Sequence, residues 1–358
     1  MKRTMTLFLC LWMLLGFLPQ NAAAVQTGQP TGLEGKTLSI LGDSISTYAG
    51  VSNCVDDSWS LANNKVFYTY GYEGIFRQDT WWQQTADRLG MRVLVNNSWS
   101  GSCMFMEGAG TLGAYEQRCV QLHNNAGQQP DLIAVFMGTN DQDYFADSLG
   151  TFRDIDFDSL IRPEGEGFAY ARPTTCLEAY AIALHKMAQR YPNAEIYCFH
   201  LLQRPGGNPQ NLIDFNADLT RLARYFGVQM VETRRCGITA ANGDLYMSDC
   251  VHPGALGMDA ITNAFVSQIL KNSRYLLPET PICRISYDLR QVDAAQGFLE
   301  RVVKGDGFQA DLIPVDKTRE MTVSVTMDGK DITESCLQNG TIHIESVTGE
   351  VHITASAE

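Results

Sequence analysis

Asp131-Leu132-Ile133-Ala134-Val135-Phe136-Met137 carries one charge at its start, no polar side chain after it, and stops at Gly138. A strand with one face in water alternates polar and apolar residues; a run without alternation has both faces covered. Strands of that kind belong to parallel sheets, where crossover helices supply the cover. Two further strand-like runs are Thr37 to Leu41, stopped by Gly42, and Ile196 to Leu202. Arg92 to Val95 and Val228 to Val231 read as short strands of the same sheet. Between them stand helical periodicities. Thr80 to Leu89 has Asp79 or Thr80 as cap and Gly90 as stop, and Leu112 to Leu122 has helical spacing. Thr174 to Arg190 gathers Leu177, Tyr180, Ala181, Leu184 and Met187 on one face. Leu212 to Tyr225 ends at Gly227, and Ala255 to Leu270 carries Leu256, Ile261, Phe265 and Ile269. Strands alternating with helices predict an α/β domain with right-handed crossovers, bounded at 36–276.

The two ends of the 358-residue chain have a different texture. Lys2 and Arg3, an apolar stretch from Leu7 to Leu18, and Ala22-Ala23-Ala24 form the pattern of an export signal over 1–24. A membrane anchor is the alternative, but the apolar core is short for a span. The expectation is a secreted, periplasmic or cell-surface protein with no membrane insertion once the signal is removed. Residues 25–35 are polar and Gly-rich, the composition of a linker. After two prolines near 281 the helical spacing fades. Met321 to Val325, Thr341 to Ile344 and Glu350 to Thr354 alternate as strands, and Asp328-Gly329 and Asn339-Gly340 are hairpin turns. These predict a small all-β, sandwich-like module over 281–358.

Charge narrows the partners. The formal charge of −13 becomes −15 once Lys2 and Arg3 leave with the signal. Such a surface repels phosphate backbones and anionic headgroups, which excludes nucleic acid and favours neutral substrates. Of ten cysteines, Cys10 lies in the signal, leaving nine. Cys176 and Cys198 sit in core patterns, no Cys-x-x-Cys pair suggests a metal or redox site, and disulfide pairing is left open. His123, His185, His343 and His352 fall in helical or strand contexts and read as structural; His200 stands at a strand end. Asp154, Asp156 and Asp158 alternate, but the glycine and distal glutamate of an EF-hand loop are missing. The acidic run from Asp141 to Asp158 therefore reads as a solvated loop. Of Trp81 and Trp82, one is expected to pack and the other to floor a sugar subsite. The long aperiodic stretch from Tyr48 to Phe76, with Trp59, Phe67, Tyr68, Tyr70 and Tyr72, either walls a substrate or covers the core.

Four short islands stand at predicted element ends. They are Gly42-Asp43-Ser44, the Val95-Asn96-Asn97-Ser98-Trp99-Ser100-Gly101-Ser102 loop, Gly138-Thr139-Asn140-Asp141, and Ser248-Asp249-Cys250-Val251-His252-Pro253. In a parallel α/β sheet, chemistry collects at the carboxyl ends of strands. A serine nucleophile needs a base, an acid that orients the base, and donors for the oxygen that becomes negative. Ser44, His252 and Asp249 supply the first three. Gly101 offers a backbone N–H, Asn140 a side-chain amide, and the Ser44 N–H completes the oxyanion hole.

In order and spacing these islands resemble the conserved blocks of the SGNH (GDSL-type) hydrolases, over about Lys36 to Asn272. The resemblance implies a flavodoxin-like three-layer α/β/α fold and an ester hydrolase without metal or cofactor. Ser44 matches the nucleophile, Asp249 and His252 the acid and base, and Gly101 and Asn140 the oxyanion donors. Asp43 belongs to the motif but reads as a loop-shaping residue. Ser98 stands where many members carry glycine. The C-terminal module is loosely similar to β modules appended to gut bacterial and phage surface proteins, which implies binding to glycan or a cell-surface partner. The expected function is a secreted serine esterase that deacylates, and most simply deacetylates, carbohydrate esters. A lipase, lysophospholipase or thioesterase of the same fold is the rival, as is a silent glycan-binding surface protein. Retention of Ser44, Asp249 and His252 together favours an enzyme.

Overall fold

The structure, a computed structural model, describes residues 30–51, 66–107, 111–205 and 209–358. The expected export signal, Trp59, Cys10 and Cys54 lie outside them. Five parallel strands form the central sheet: β1 (Thr37–Gly42), β2 (Arg92–Ser98), β3 (Leu132–Phe136), β4 (Glu195–Phe199) and β5 (Gln229–Val231). Their order is β2-β1-β3-β4-β5, that of a flavodoxin-like doubly wound sheet.

Side chains alternate across this sheet into two apolar cores. Leu38, Ile40, Ala134, Phe136, Tyr197 and Phe199 face one way, against α1 (Trp81–Arg88) and α5 (Ala255–Asn272). Leu41, Ile133, Val135, Ile196 and Cys198 face the other, against α3 (Cys176–Arg190) and α4 (Pro209–Tyr225), with the short α2 (Thr139–Tyr144) after β3. Both faces are dry, which is why these strands lack alternation in sequence. The three-layer α/β/α expectation holds.

Several local expectations fail for physical reasons. No helix forms over 112–122; only a 3-10 turn, Arg118–Val120, is present. The amides of Gly113, Ala114 and Tyr115 instead donate to the carbonyls of Phe105, Cys103 and Met104, so their donors are committed to an extended partner. Trp81 and Trp82 are both 0 % exposed, and the Trp82 indole donates to Ser46 O at 3.0 Å, leaving neither to floor a sugar. In the expected linker, Leu33 is buried, Glu34 accepts from the Thr31 and Gly32 amides, and Leu277 N donates to Thr31 O. Residues 30–35 thus pack onto the domain.

Residues 281–358 form two sheets around one core that includes Ile285, Val325, Ile342 and Ile353. Pairing is antiparallel except between Ile282–Arg290 and Val351–Ala357. Asp328 (φ 49°) with Gly329 (75°), and Asn339 (52°) with Gly340 (83°), take the left-handed conformation that both central residues of a type I′ hairpin turn need. The module is braced on α5: Asn263 donates to Gln296 O at 2.7 Å, and Ser267 Oγ accepts from Glu300 N at 2.8 Å. A Cβ on Gly297 would lie 2.1 Å from Cys236 O, so only glycine permits this approach.

Candidate active site

β1 and β3 are neighbours at the point where strand order reverses, the usual ligand crevice of such sheets. Ser44 opens the one-turn 3-10 helix Ser44–Ser46, and Asp43 caps it by accepting from Ile45 N at 3.0 Å. Gly42 is dictated by packing: a Cβ there would lie 2.6 Å from Ser46 Cβ and 2.7 Å from Ser98 Oγ. Ser98 thus fits beside a glycine of the first island rather than replacing one without consequence.

The fourth island closes over this turn. Asp249 Oδ1 accepts from the Val251 and His252 amides, each at 2.6 Å. Its Oδ2 lies 2.8 Å from His252 Nδ1, and His252 Nε2 lies 2.9 Å from Ser44 Oγ. A carboxylate only accepts, so Nδ1 carries the proton and Nε2 presents a lone pair to the hydroxyl. The His252 carbonyl is held in turn by Ser248, from its amide at 2.8 Å and its hydroxyl at 3.0 Å. Ser44 is 4 % exposed. Burial lowers the His252 pKa, Asp249 partly offsets this, and the Arg204 charge lowers it further. For Asp249 burial pushes upward, but the His252 and Val251 donors outweigh it and hold the carboxyl below its usual range.

The second and third islands are tied to each other. Asn140 Nδ2 donates to Ser102 O at 2.8 Å, and Asp141 accepts from Met104 N at 2.7 Å and Phe105 N at 2.8 Å. Gly101 adopts φ +73° with nothing within 4 Å of a Cβ position. Asp141 is therefore a buried clamp rather than part of a solvated acidic loop. Burial raises its pKa to about 6 and that of Asp43 to about 7.

Four residues that the motifs do not flag surround the site. Arg118 donates to Gly42 O at 2.8 Å and Asn97 O at 3.1 Å beneath it. Phe67 stacks on the His252 ring, and Thr47 links Phe67 to the Ser44 turn. Tyr68, its neighbour, is buried and donates to Pro253 O at 2.8 Å. Of the aromatic stretch, Tyr68 covers core, and Phe67 packs against that core with its ring on His252.

Other expected candidates fall elsewhere. His123 contacts the Tyr191 hydroxyl, His185 that of Tyr170, and His200 that of Thr220 on α4. Asp156 caps the short Phe157–Leu160 helix, and Asp154 pairs with Arg153 and Thr151. Among the described residues no group of His, Cys, Asp or Glu is placed to hold a metal, and no helix is long and apolar enough to cross a membrane. Of the eight described cysteines seven are buried, and Cys250 is exposed.

A family model described as GDSL-like Lipase/Acylhydrolase matches residues 36–269, more than half of the chain. Among solved structures, a provisionally named GDSL-like lipase from Bacteroides ovatus ATCC 8483 is 24% identical, covering 67% of this chain and 100% of its own, with a TM-score of 0.47. A similarly named protein from Bacteroides uniformis ATCC 8492 is 23% identical, covering 66% and 97%, with a TM-score of 0.47. A carbohydrate esterase family 3 protein from Talaromyces cellulolyticus is 14% identical, covering 66% and 97%, with a TM-score of 0.41. No curated protein matches the chain.

Proposed function

The chain belongs to the GDSL-like lipase/acylhydrolase family, and on that premise we propose that it is a serine carboxylic-ester hydrolase working through an acyl-enzyme on Ser44. The observation that carries this reading is the series Ser44 Oγ, His252, Asp249, with links of 2.9 and 2.8 Å. His252 Nε2 takes the hydroxyl proton as Ser44 Oγ attacks the ester carbonyl. The resulting oxyanion is received by the Ser44 and Gly101 N–H groups and the Asn140 amide. Collapse breaks the bond to the alcohol oxygen, which leaves with the proton from His252. Water then attacks the acyl-enzyme by the same steps in reverse order of partners, giving the carboxylic acid and free Ser44. Asp249 keeps the imidazole in the required tautomer throughout.

The acidic surface supports a neutral ester, and a small acyl group on carbohydrate is the substrate class we assign. The proposed place of action is outside the cytoplasm, on the strength of the pattern over 1–24. A glycan- or surface-binding role for the C-terminal module has no aromatic platform among its described residues: Tyr287 packs on Phe298 at 5.0 Å, and Phe308 is buried. The module braces the site, since the Tyr246 hydroxyl, just before Asp249, donates to Ala294 O at 2.6 Å. Ser44→Ala tests the function: hydrolysis of an aryl acetate should vanish with circular dichroism unchanged, and wild-type rates in the variant would end the proposal.

A further inference from the structure

We infer that Phe67 is a positioning residue for the His252 base, holding the imidazole over Ser44 and favouring its charged form during acyl transfer. The inference rests on the ester-hydrolase reading above. The two rings lie 3.4 Å apart at their centroids and are inclined by 11°, a face-to-face contact. Neutral imidazole gains little from such a face, but imidazolium meets the negative quadrupole of the benzene ring. The gain therefore arises when His252 has taken the Ser44 proton, which is when it lowers a barrier.

The position of the ring is over-determined. Its edges are met by Tyr68 at 4.9 Å and 83°, and by Tyr72 at 5.3 Å and 78°. Its backbone N–H donates to Thr47 Oγ1 at 2.9 Å, and that hydroxyl donates to Ser44 O at 2.9 Å. A closed circuit results: Ser44 to Thr47 through one hydrogen bond, Thr47 to Phe67 through another, Phe67 to His252 by stacking, and His252 back to Ser44 Oγ. Asp249 orients the imidazole in its own plane, through Nδ1; it does little against tilting out of that plane. Phe67 supplies the missing restraint from the face. Serine-base geometry is thus fixed from two directions by segments far apart in sequence.

The test separates an aromatic face from mere apolar cover. Phe67→Leu keeps the cover and loses the π face; Phe67→Tyr keeps both. With an aryl acetate, Phe67→Leu should lower kcat by about tenfold at nearly unchanged KM, and Phe67→Tyr should stay close to wild type. Circular dichroism and thermal unfolding on both variants confirm a native fold. Wild-type kcat in Phe67→Leu, or an equal fall in both variants, would overturn the role given to Phe67 while leaving the hydrolase reading intact. A wild-type protein that hydrolyses no ester would overturn the hydrolase reading, and this inference with it.

Discussion

The Arg118 guanidinium, 5 % exposed, donates at 2.8 Å to the carbonyl of Gly42, the residue that ends β1 just before Asp43 and Ser44. It also reaches Asn97 O at 3.1 Å and lies 4.6 Å from the Trp99 ring. One side chain therefore ties the carboxyl ends of β1 and β2 at the crevice. Arg118→Met leaves these buried acceptors short of a donor and should lower unfolding stability by about 2–4 kcal/mol. Chemical denaturation measures it. Arg118→Lys should recover only part, because an ammonium lacks the planar fork; stability equal to wild type in the Met variant would show that the tie contributes nothing.

Acid should switch off catalysis before it unfolds the protein. His252 is held below the ordinary imidazole pKa by burial, so its neutral form persists on acidification and the acid limb of kcat/KM should fall below pH ~6.5. Asp43 and Asp141 titrate near the same range, at about 7 and about 6. Both are raised above the unfolded value, so the folded state binds their protons more readily, and these two groups add stability as pH falls from 7 toward the ordinary carboxylate range. A pH–rate profile beside a pH–Tm profile checks this. An acid limb above pH ~6.5, or one that tracks loss of fold, would contradict it.

Asn140 is fixed by its bond to Ser102 O, and the adjoining Asp141 clamps the loop after it. On the proposal that Asn140 is an oxyanion donor, its loss costs about 3 kcal/mol of barrier, and Asn140→Ala should slow turnover by two to three decades. KM should change little, since the donor acts on the oxyanion and not on the bound ester. A drop confined to KM would reassign Asn140 to ground-state binding.

The parts readable from sequence are those in which local residues decide the outcome. Leu132 to Phe136 is apolar at every position because helices cover both faces, and Gly42 and Gly138 mark strand ends where backbone or packing excludes a side chain. Each island is contiguous, so Ser44, Asn140, Asp249 and His252 stand out in the sequence, and folding joins Ser44, His252 and Asp249. Phe67 does not, because it lies in a stretch with no period and its stacking partner is far along the chain. Arg118 sits in a segment with helical spacing whose backbone donors go to Cys103, Met104 and Phe105, a tertiary pairing that periodicity does not report. Trp81 and Trp82 look like a half-exposed pair at a helix start, but the Ser46 carbonyl and α5 draw both inward.

The most direct measurement is to react the wild-type protein with a fluorophosphonate and locate the adduct by peptide mass analysis. A phosphonylated Ser44, formed in wild type and lost in His252→Ala with the fold intact, is the expected result. An adduct on another residue, or none on a folded protein, would contradict the assignment of Ser44 as the nucleophile.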